Sequence, residues 1–238
     1  MPLNPERDFN IIRPPIYRTN GVIDRIVLSG VHGSGKTTLY KYLCHELGKS
    51  KYLHGQGLHE WRPEPVRLIQ EYGWPINQEA NDESQLAMAA YHMSTSAYPR
   101  YIADRCIVDV YVYAKYLNEN GDKKVSDSCV KYLEQLVYQF IYNFHGIVFL
   151  TITKEDDKIA EDEIRDTDFM FRNGVNALFF MVWGHLLKPE RTIERCGRNG
   201  QLVLLPDRFH DRVKIAMNQI CLELDPYFRR LRSEGRVS

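Results

Sequence analysis

The stretch Gly30-Val31-His32-Gly33-Ser34-Gly35-Lys36-Thr37 constrains the fold of this 238-residue chain more than any other. It satisfies the spacing G-x-x-x-x-G-K-[ST], whose chemistry works only on a turn between a buried strand and a helix. Both flanks agree with that setting. Val22 to Leu28 is apolar and β-branched enough to form a buried strand. Thr38 to Leu47 carries Leu39, Leu43 and Leu47 on one helical face, with Gly48 as its stop. The glycines let the backbone turn without Cβ clashes, so successive amides can close on an anion at the positive end of the helix. Lys36 adds a full charge at the terminal phosphates, and the Thr37 hydroxyl is placed to ligate Mg²⁺. Residues Gly30 to Thr38 therefore form a candidate nucleoside triphosphate site; His32 occupies a variable position of the pattern, and no chemistry is expected of it.

The rest of the chain supplies more strands and helices in alternation. A weak strand is expected at Lys51–His54 and a short helix after Pro63-Glu64-Pro65, ended by Gly73 and Pro75. A long helix follows from Asn81-Asp82, where Asp82 and Gln85 have the spacing of a capping box, to Tyr98-Pro99. Tyr101–Arg105 is predicted as a strand, and helices follow at about 108–117 and 127–144. Ile147–Ile152 is a second buried strand. A charged segment over about 154–168 precedes a helix to Leu187, then a last strand at Leu202–Leu205 and a closing helix at 207–224. Such alternation predicts a parallel α/β sheet covered by helices on both faces, with the ligand outside the carboxyl ends of the strands. Residues 1–20 hold four of the eleven prolines and read as an extended arm. Residues 21–228 make one domain, and 229–238 a basic tail.

Charge and cysteines narrow the setting. The 31 basic and 31 acidic residues cancel, so nothing global demands nucleic acid or an anionic membrane. The five cysteines are scattered, as reduced thiols in a cytoplasmic protein would be. No apolar run reaches the roughly 18 residues of a membrane span.

Several residues could do chemistry. Asp104, at a strand end, could hold Mg²⁺ or cap the next helix. Arg105 could neutralise phosphate, and Asp109 lies inside a helix N-terminus that favours it anyway. Glu64 and Arg67 are i, i+3 neighbours: the carboxylate could take a proton from an attacking hydroxyl and the arginine could hold an acceptor's phosphate, or the two could form a surface ion pair. Glu60 is a rival base. The 154–168 segment has the polarity of a mobile lid, in which Arg165 could stabilise the transferring phosphoryl group or bridge nearby acids. Arg172 is a candidate for an ion pair, and Arg191, Arg195 and Arg198 for an anion site. Trp61, Trp74 and Tyr91 could stack on a base or belong to the core.

Taken in order, these residues resemble the P-loop small-molecule kinases of the thymidylate-kinase-like group, and most of all P-loop domains related to ribosylnicotinamide kinase, found in bacteria and their viruses. The matching pieces are Leu28 through Thr38, Glu64-x-x-Arg67 leading to Gly73-Trp74-Pro75, Gln85, Asp104-Arg105-x-x-x-Asp109-x-x-x-Tyr113-Ala114, and Glu163-Ile164-Arg165. The resemblance implies a five-stranded parallel sheet, ATP and Mg²⁺ at the P-loop with Thr37 and Asp104 toward the metal, and an acceptor pocket between the Glu64 and Asp104 elements with Glu64, Arg67, Gln85 and Asp109 toward the acceptor. It also implies a lid bearing Arg165. Asp162-Glu163 stands where relatives often have Asp-Gly, and the proline-rich arm and the 188–200 insertion are additions, so the acceptor's identity does not carry over. A nucleoside or nucleotide is the expected acceptor; a hydroxyl carried by DNA, or a regulatory nucleotide switch, are the alternatives. The sequence leaves the oligomeric state open.

Overall fold

The computed structural model describes residues 25–49, 61–98, 100–120, 124–151, 168–187, 200–206 and 208–224. The expected arm, the strand at Lys51–His54, Glu60, the lid with Arg165, the arginines at 191, 195 and 198, and the basic tail lie outside them.

In chain order the elements are β1 (Arg25–Gly30), α1 (Lys36–Lys49), β2 (Trp61–Arg62), α2 (Val66–Glu71) and α3 (Asp82–Ser96). They continue with β3 (Tyr101–Asp104), α4 (Ile107–Asn120), α5 (Asp127–Tyr142), β4 (Gly146–Thr151), α6 (Phe169–Leu186), β5 (Gly200–Leu205) and α7 (Phe209–Leu224). The strands form one sheet in the order β2-β3-β1-β4-β5. Every pairing is parallel. Four strands run four to six residues, and the fifth, β2, is a two-residue edge. In it Trp61 pairs with Ile102 of β3.

Side chains alternate across each strand, and the alternation divides the core in two. Ile26, Leu28, Ile102, Ile147 and Phe149 face α1 and α7, where Leu39, Leu43, Ala216 and Ile220 close the layer. Val27, Ala103, Val148 and Leu150 face the other way, onto Val112, Leu133, Phe140, Val175 and Trp183 of α4, α5 and α6. Strands apolar on both faces are what a covered parallel sheet requires.

Local chemistry sets the helix ends. α3 is capped by Asn81, whose side chain accepts from the Ser84 amide while the Ser84 hydroxyl accepts from the Asn81 amide. The capping box therefore lies one residue earlier than Asp82 and Gln85, and Gln85 is released to the interior. Ser126 caps α5, and its hydroxyl donates to Asp82 at 2.6 Å, tying α5 to the start of α3. Asp168 caps α6. The register brings Leu28 beside Asp104 and Gly30 beside Thr151, so the carboxyl ends of β1, β3 and β4 meet at one edge. No helix among the described residues is long and apolar enough to cross a membrane.

Candidate active site

The P-loop leaves β1 at Gly30, whose φ of +130° is followed by +72° at Gly33 and +79° at Gly35. A Cβ on Gly30 would stand 2.4 Å from the Thr151 carbonyl oxygen, so the loop can leave the sheet here only as glycine. Thr151 fastens the loop from β4. Its hydroxyl donates to the Ser29 carbonyl at 3.1 Å and lies 2.6 Å from Ser34 Oγ. Helix α1 then begins at Lys36, which puts its unpaired N-terminal amides on the loop.

Lys36 is folded back into this loop. Its Nζ donates to the Val31 carbonyl at 2.6 Å and to Ser34 Oγ at 3.2 Å, with 4% of the residue exposed. Burial, reinforced by the Arg105 cation, brings its pKa down to about 7 against the pull of Asp104, Glu64 and Asp109. The ammonium is held by neutral oxygens and surrounded by acids it does not touch directly, an arrangement suited to a cation waiting for phosphate.

Next to it stands a metal-type pair. Thr37 Oγ1 donates to Asp104 Oδ2 at 2.7 Å, while Asp104 Oδ1 is buried without a hydrogen-bond partner. Burial and then the Glu64 carboxylate raise the Asp104 pKa to about 6, opposed by Lys36 and by the Thr37 bond. Asp104 therefore does not cap α4. An orphaned carboxylate oxygen beside a threonine hydroxyl fits a hard divalent cation that keeps water and phosphate as its other ligands. Among the described residues no group of three or more His, Cys, Asp or Glu forms a protein-only metal cage.

Arg105 is the centre of the second half of the site. It has a φ of +77°, rare for a side-chain-bearing residue and of the kind that gathers at functional sites. Its amide donates to the Leu28 carbonyl at 2.8 Å, which pins β3's exit to β1. Its guanidinium pairs with Glu64, lies 3.6 Å from Asp109, donates to the Gly30 carbonyl at 3.3 Å, and sits 5.2 Å from the Tyr113 ring centroid. Burial works against its charge, but Glu64, Tyr113 and the Asp109 and Asp104 carboxylates outweigh it, so the net shift is upward. Glu64 thus precedes α2 and reaches across to Arg105, where the sequence spacing had paired it with Arg67 on one helix. Arg67 is exposed on α2.

Asp109 turns inward, contrary to the expectation of an acceptor contact. Oδ2 accepts from Ser29 Oγ at 3.0 Å and the Cys106 amide at 3.1 Å, and Oδ1 accepts from the Gly30 amide at 3.2 Å. Its two oxygens join the start of α4 to the root of the P-loop; burial raises its pKa. The Trp183 indole extends this chain by donating to Ser29 Oγ at 2.7 Å, a link to α6 that no local pattern announces.

His32 is likewise structural. Its amide donates to the Tyr113 hydroxyl at 2.8 Å, its Nδ1 lies 3.0 Å from the same oxygen, and its ring stacks on Phe171 at 5.8 Å. Val31 is buried in the core, and Thr38 is exposed in the first turn of α1. Gln85 is 1% exposed with Oε1 lacking a partner. His92, a buried neighbour on α3, is held neutral, its pKa brought down to about 3 by burial and Arg105. The Tyr91 hydroxyl donates to the Pro63 carbonyl and steadies the approach to Glu64, while Trp74 is 41% exposed. Arg172 is buried on α6, 5.9 Å from the Phe169 ring. Arg212 was missed by the sequence reading. From α7, this buried residue donates to the carbonyls of Ser34 and Pro206.

Solved structures share this architecture. Deoxyadenosine kinase from M. mycoides with products dCMP and a flexible dCDP bound aligns at TM-score 0.55 and 13% identity, covering 82% of this chain and 98% of that one. Thymidylate kinase from Candida albicans aligns at TM-score 0.55 and 17% identity, covering 84% and 91%. NadR in complex with NR aligns at 0.53 and 16%, covering 85% of this chain and 52% of NadR. At these identities the shared property is the fold, an α/β P-loop fold with a parallel sheet. No curated protein sequence matches the chain. A family profile described as AAA domain matches residues 25–186, the span from β1 through α6 that carries the P-loop, Glu64, Asp104 and Arg105. The chain belongs to this AAA domain family.

Proposed function

We propose that this protein is an ATP-dependent phosphotransferase that moves the γ-phosphoryl group to a hydroxyl or phosphate of a nucleoside or nucleotide. The observation that carries the reading is the meeting of two pairs at one sheet edge: Thr37 with the half-unpartnered Asp104, and Glu64 with Arg105. The kinase fold of the similar structures supports it.

In this reading Gly30 to Thr38 cradle the phosphates, and Lys36 exchanges the Val31 carbonyl for phosphate oxygens. Thr37 and Asp104 would hold Mg²⁺, which supplies charge neutralisation between the phosphates. Glu64 accepts the proton of the attacking hydroxyl when the acceptor is a nucleoside, and Arg105 moves from carboxylate to phosphoryl charge while Asp109 keeps its backbone in place. The Gln85 carboxamide, with a free acceptor oxygen, orients the acceptor by taking a hydrogen bond from it, and Arg67 offers a cation at the entrance. Arg165 serves as the lid cation that stabilises the group in flight.

A second reading keeps the chemistry but places the hydroxyl on DNA. Tyr72 and Trp74, 71% and 41% exposed just past α2, favour it as a stacking surface for an unpaired strand. The test is phosphate transfer from labelled ATP to a panel of nucleosides, nucleotides and single-stranded DNA. Acceptor-dependent ADP release is expected with a nucleoside or nucleotide. Transfer to DNA alone would favour the second reading, and ADP release unchanged by every acceptor would indicate a nucleotide switch and overturn both.

A further inference from the structure

Arg212 lies far from the acceptor residues in the chain and on the opposite side of the sheet's carboxyl edge from Glu64. Its Nη1 donates to the carbonyl of Ser34, 178 positions away in sequence, and its Nε donates to the carbonyl of Pro206 at the exit of β5. The residue is 5% exposed. The guanidinium packs so closely that a Cβ on Gly35 would stand 3.2 Å from Nη1. Gly35 is thus favoured by its φ of +79°, and a side chain there would also crowd this cation.

The bonded carbonyl belongs to a particular peptide. The Ser34 C=O and the Gly35 N–H form one planar trans unit, in which donor and acceptor point in opposite directions. A P-loop directs its amides toward phosphate, so the carbonyls on the back of those peptides need donors from the surrounding protein. Here the donor is a charged, forked guanidinium. A charge-assisted bond to the carbonyl polarises the peptide and makes its N–H a stronger donor on the other face. The same fork, anchored on the Pro206 carbonyl, links the loop to the exit of β5.

We propose that Arg212 is a positioning residue for the nucleotide's phosphate chain, which holds and polarises the Ser34–Gly35 peptide from behind and sets affinity for triphosphate without touching the acceptor. The inference rests on nucleotide binding at the P-loop and goes beyond it by assigning α7 a role in that site. A lysine at this position keeps charge but lacks the fork that reaches two carbonyls.

The experiment measures calorimetric Kd values for ATP and for inorganic tripolyphosphate on the full chain, for the parent, Arg212→Lys and Arg212→Gln, with thermal melting as the check of folding. The expected result is a weakening of both ligands by about 10- to 100-fold in Arg212→Gln, with a smaller loss in Arg212→Lys. Equal losses for ATP and tripolyphosphate place the effect on the phosphates. The acceptor KM should stay at the parent value, because Arg212 does not touch the acceptor. Parent-like affinities in either folded variant would overturn the inference, as would a loss confined to ATP with tripolyphosphate unaffected. A parent protein that binds neither ligand would instead overturn the P-loop reading on which the inference rests.

Discussion

Nucleotide binding should draw a proton into the protein above neutral pH, and Lys36 should be its destination. The Lys36 amine is buried on neutral oxygens, and its pKa falls from 10.5 to about 7 through burial and Arg105. At pH 8 about nine in ten of these amines are neutral. Triphosphate brings several negative charges to the same nitrogen and restores an ordinary amine pKa, so binding must recruit the missing proton. The cost is about 1.4 kcal/mol for each pH unit above the free-state value. ATP Kd should therefore rise roughly 25-fold between pH 7.5 and 9, a window in which phosphate, with its second pKa near 6, is already ionised. Asp104, raised to about 6, is ionised throughout the window and does not contribute. The assay is calorimetry at pH 8 in two buffers of different ionisation enthalpy, which reads the uptake directly; about 0.9 proton per ATP is expected. Lys36→Met should bind weakly at every pH and take up none. Zero uptake together with a flat Kd from pH 7.5 to 9 would show that Lys36 is already charged in the free protein, and would refute the argument from burial.

Asp104→Asn should raise the half-saturating Mg²⁺ concentration at least about tenfold and abolish the fall in Mg²⁺ affinity expected in the parent below pH 6, where Asp104 protonates; superimposable metal titrations would remove Asp104 from the metal sphere. Glu64→Gln should lower kcat by about 10²- to 10⁴-fold for a hydroxyl acceptor, with KM little changed, as steady-state kinetics would show. Gly30→Ala should cost on the order of 3 kcal/mol in denaturant unfolding, since its methyl would overlap a backbone oxygen of Thr151 at a φ of +130°; an unchanged midpoint would mean the loop root can relax.

The parts legible in the sequence were those whose chemistry is local. Fixed residues at fixed spacing located the P-loop, and apolar runs of strand length found β1, β3 and β4, which are buried on both faces, and the edge strand β5, whose Leu202 to Leu205 run is apolar although Leu204 is 45% exposed. Asp104 was visible as an acid at a strand end. Its partners were not, because an acid at a strand end gives no sign of the Thr37 bond or of the unpartnered Oδ1. The same silence misplaced Asp109. A carboxylate in a first turn is compatible with an acceptor contact, and only the folded chain shows both oxygens taken by Ser29, Cys106 and Gly30. Glu64 misled through spacing: i, i+3 predicts a helical pair, yet Glu64 precedes the helix and its charge is met by Arg105 from another strand. The two-residue β2 carries too little pattern to be found.

Arg212, Trp183 and Thr151 share a further reason for being missed: each reaches the P-loop or its root from an element more than a hundred residues away, where no local spacing announces it. The loop's pattern records what phosphate needs and is silent on what holds the loop. That support comes from β4, α6 and α7, three of the last four described elements of the chain, and α7 lies beyond the span that the family profile matches. In the proposed reading residues 25–186 would supply the reactive groups, while the P-loop is also held by Arg212 of α7. If so, truncation before β5 should weaken nucleotide binding even where Lys36, Thr37 and Asp104 are all present.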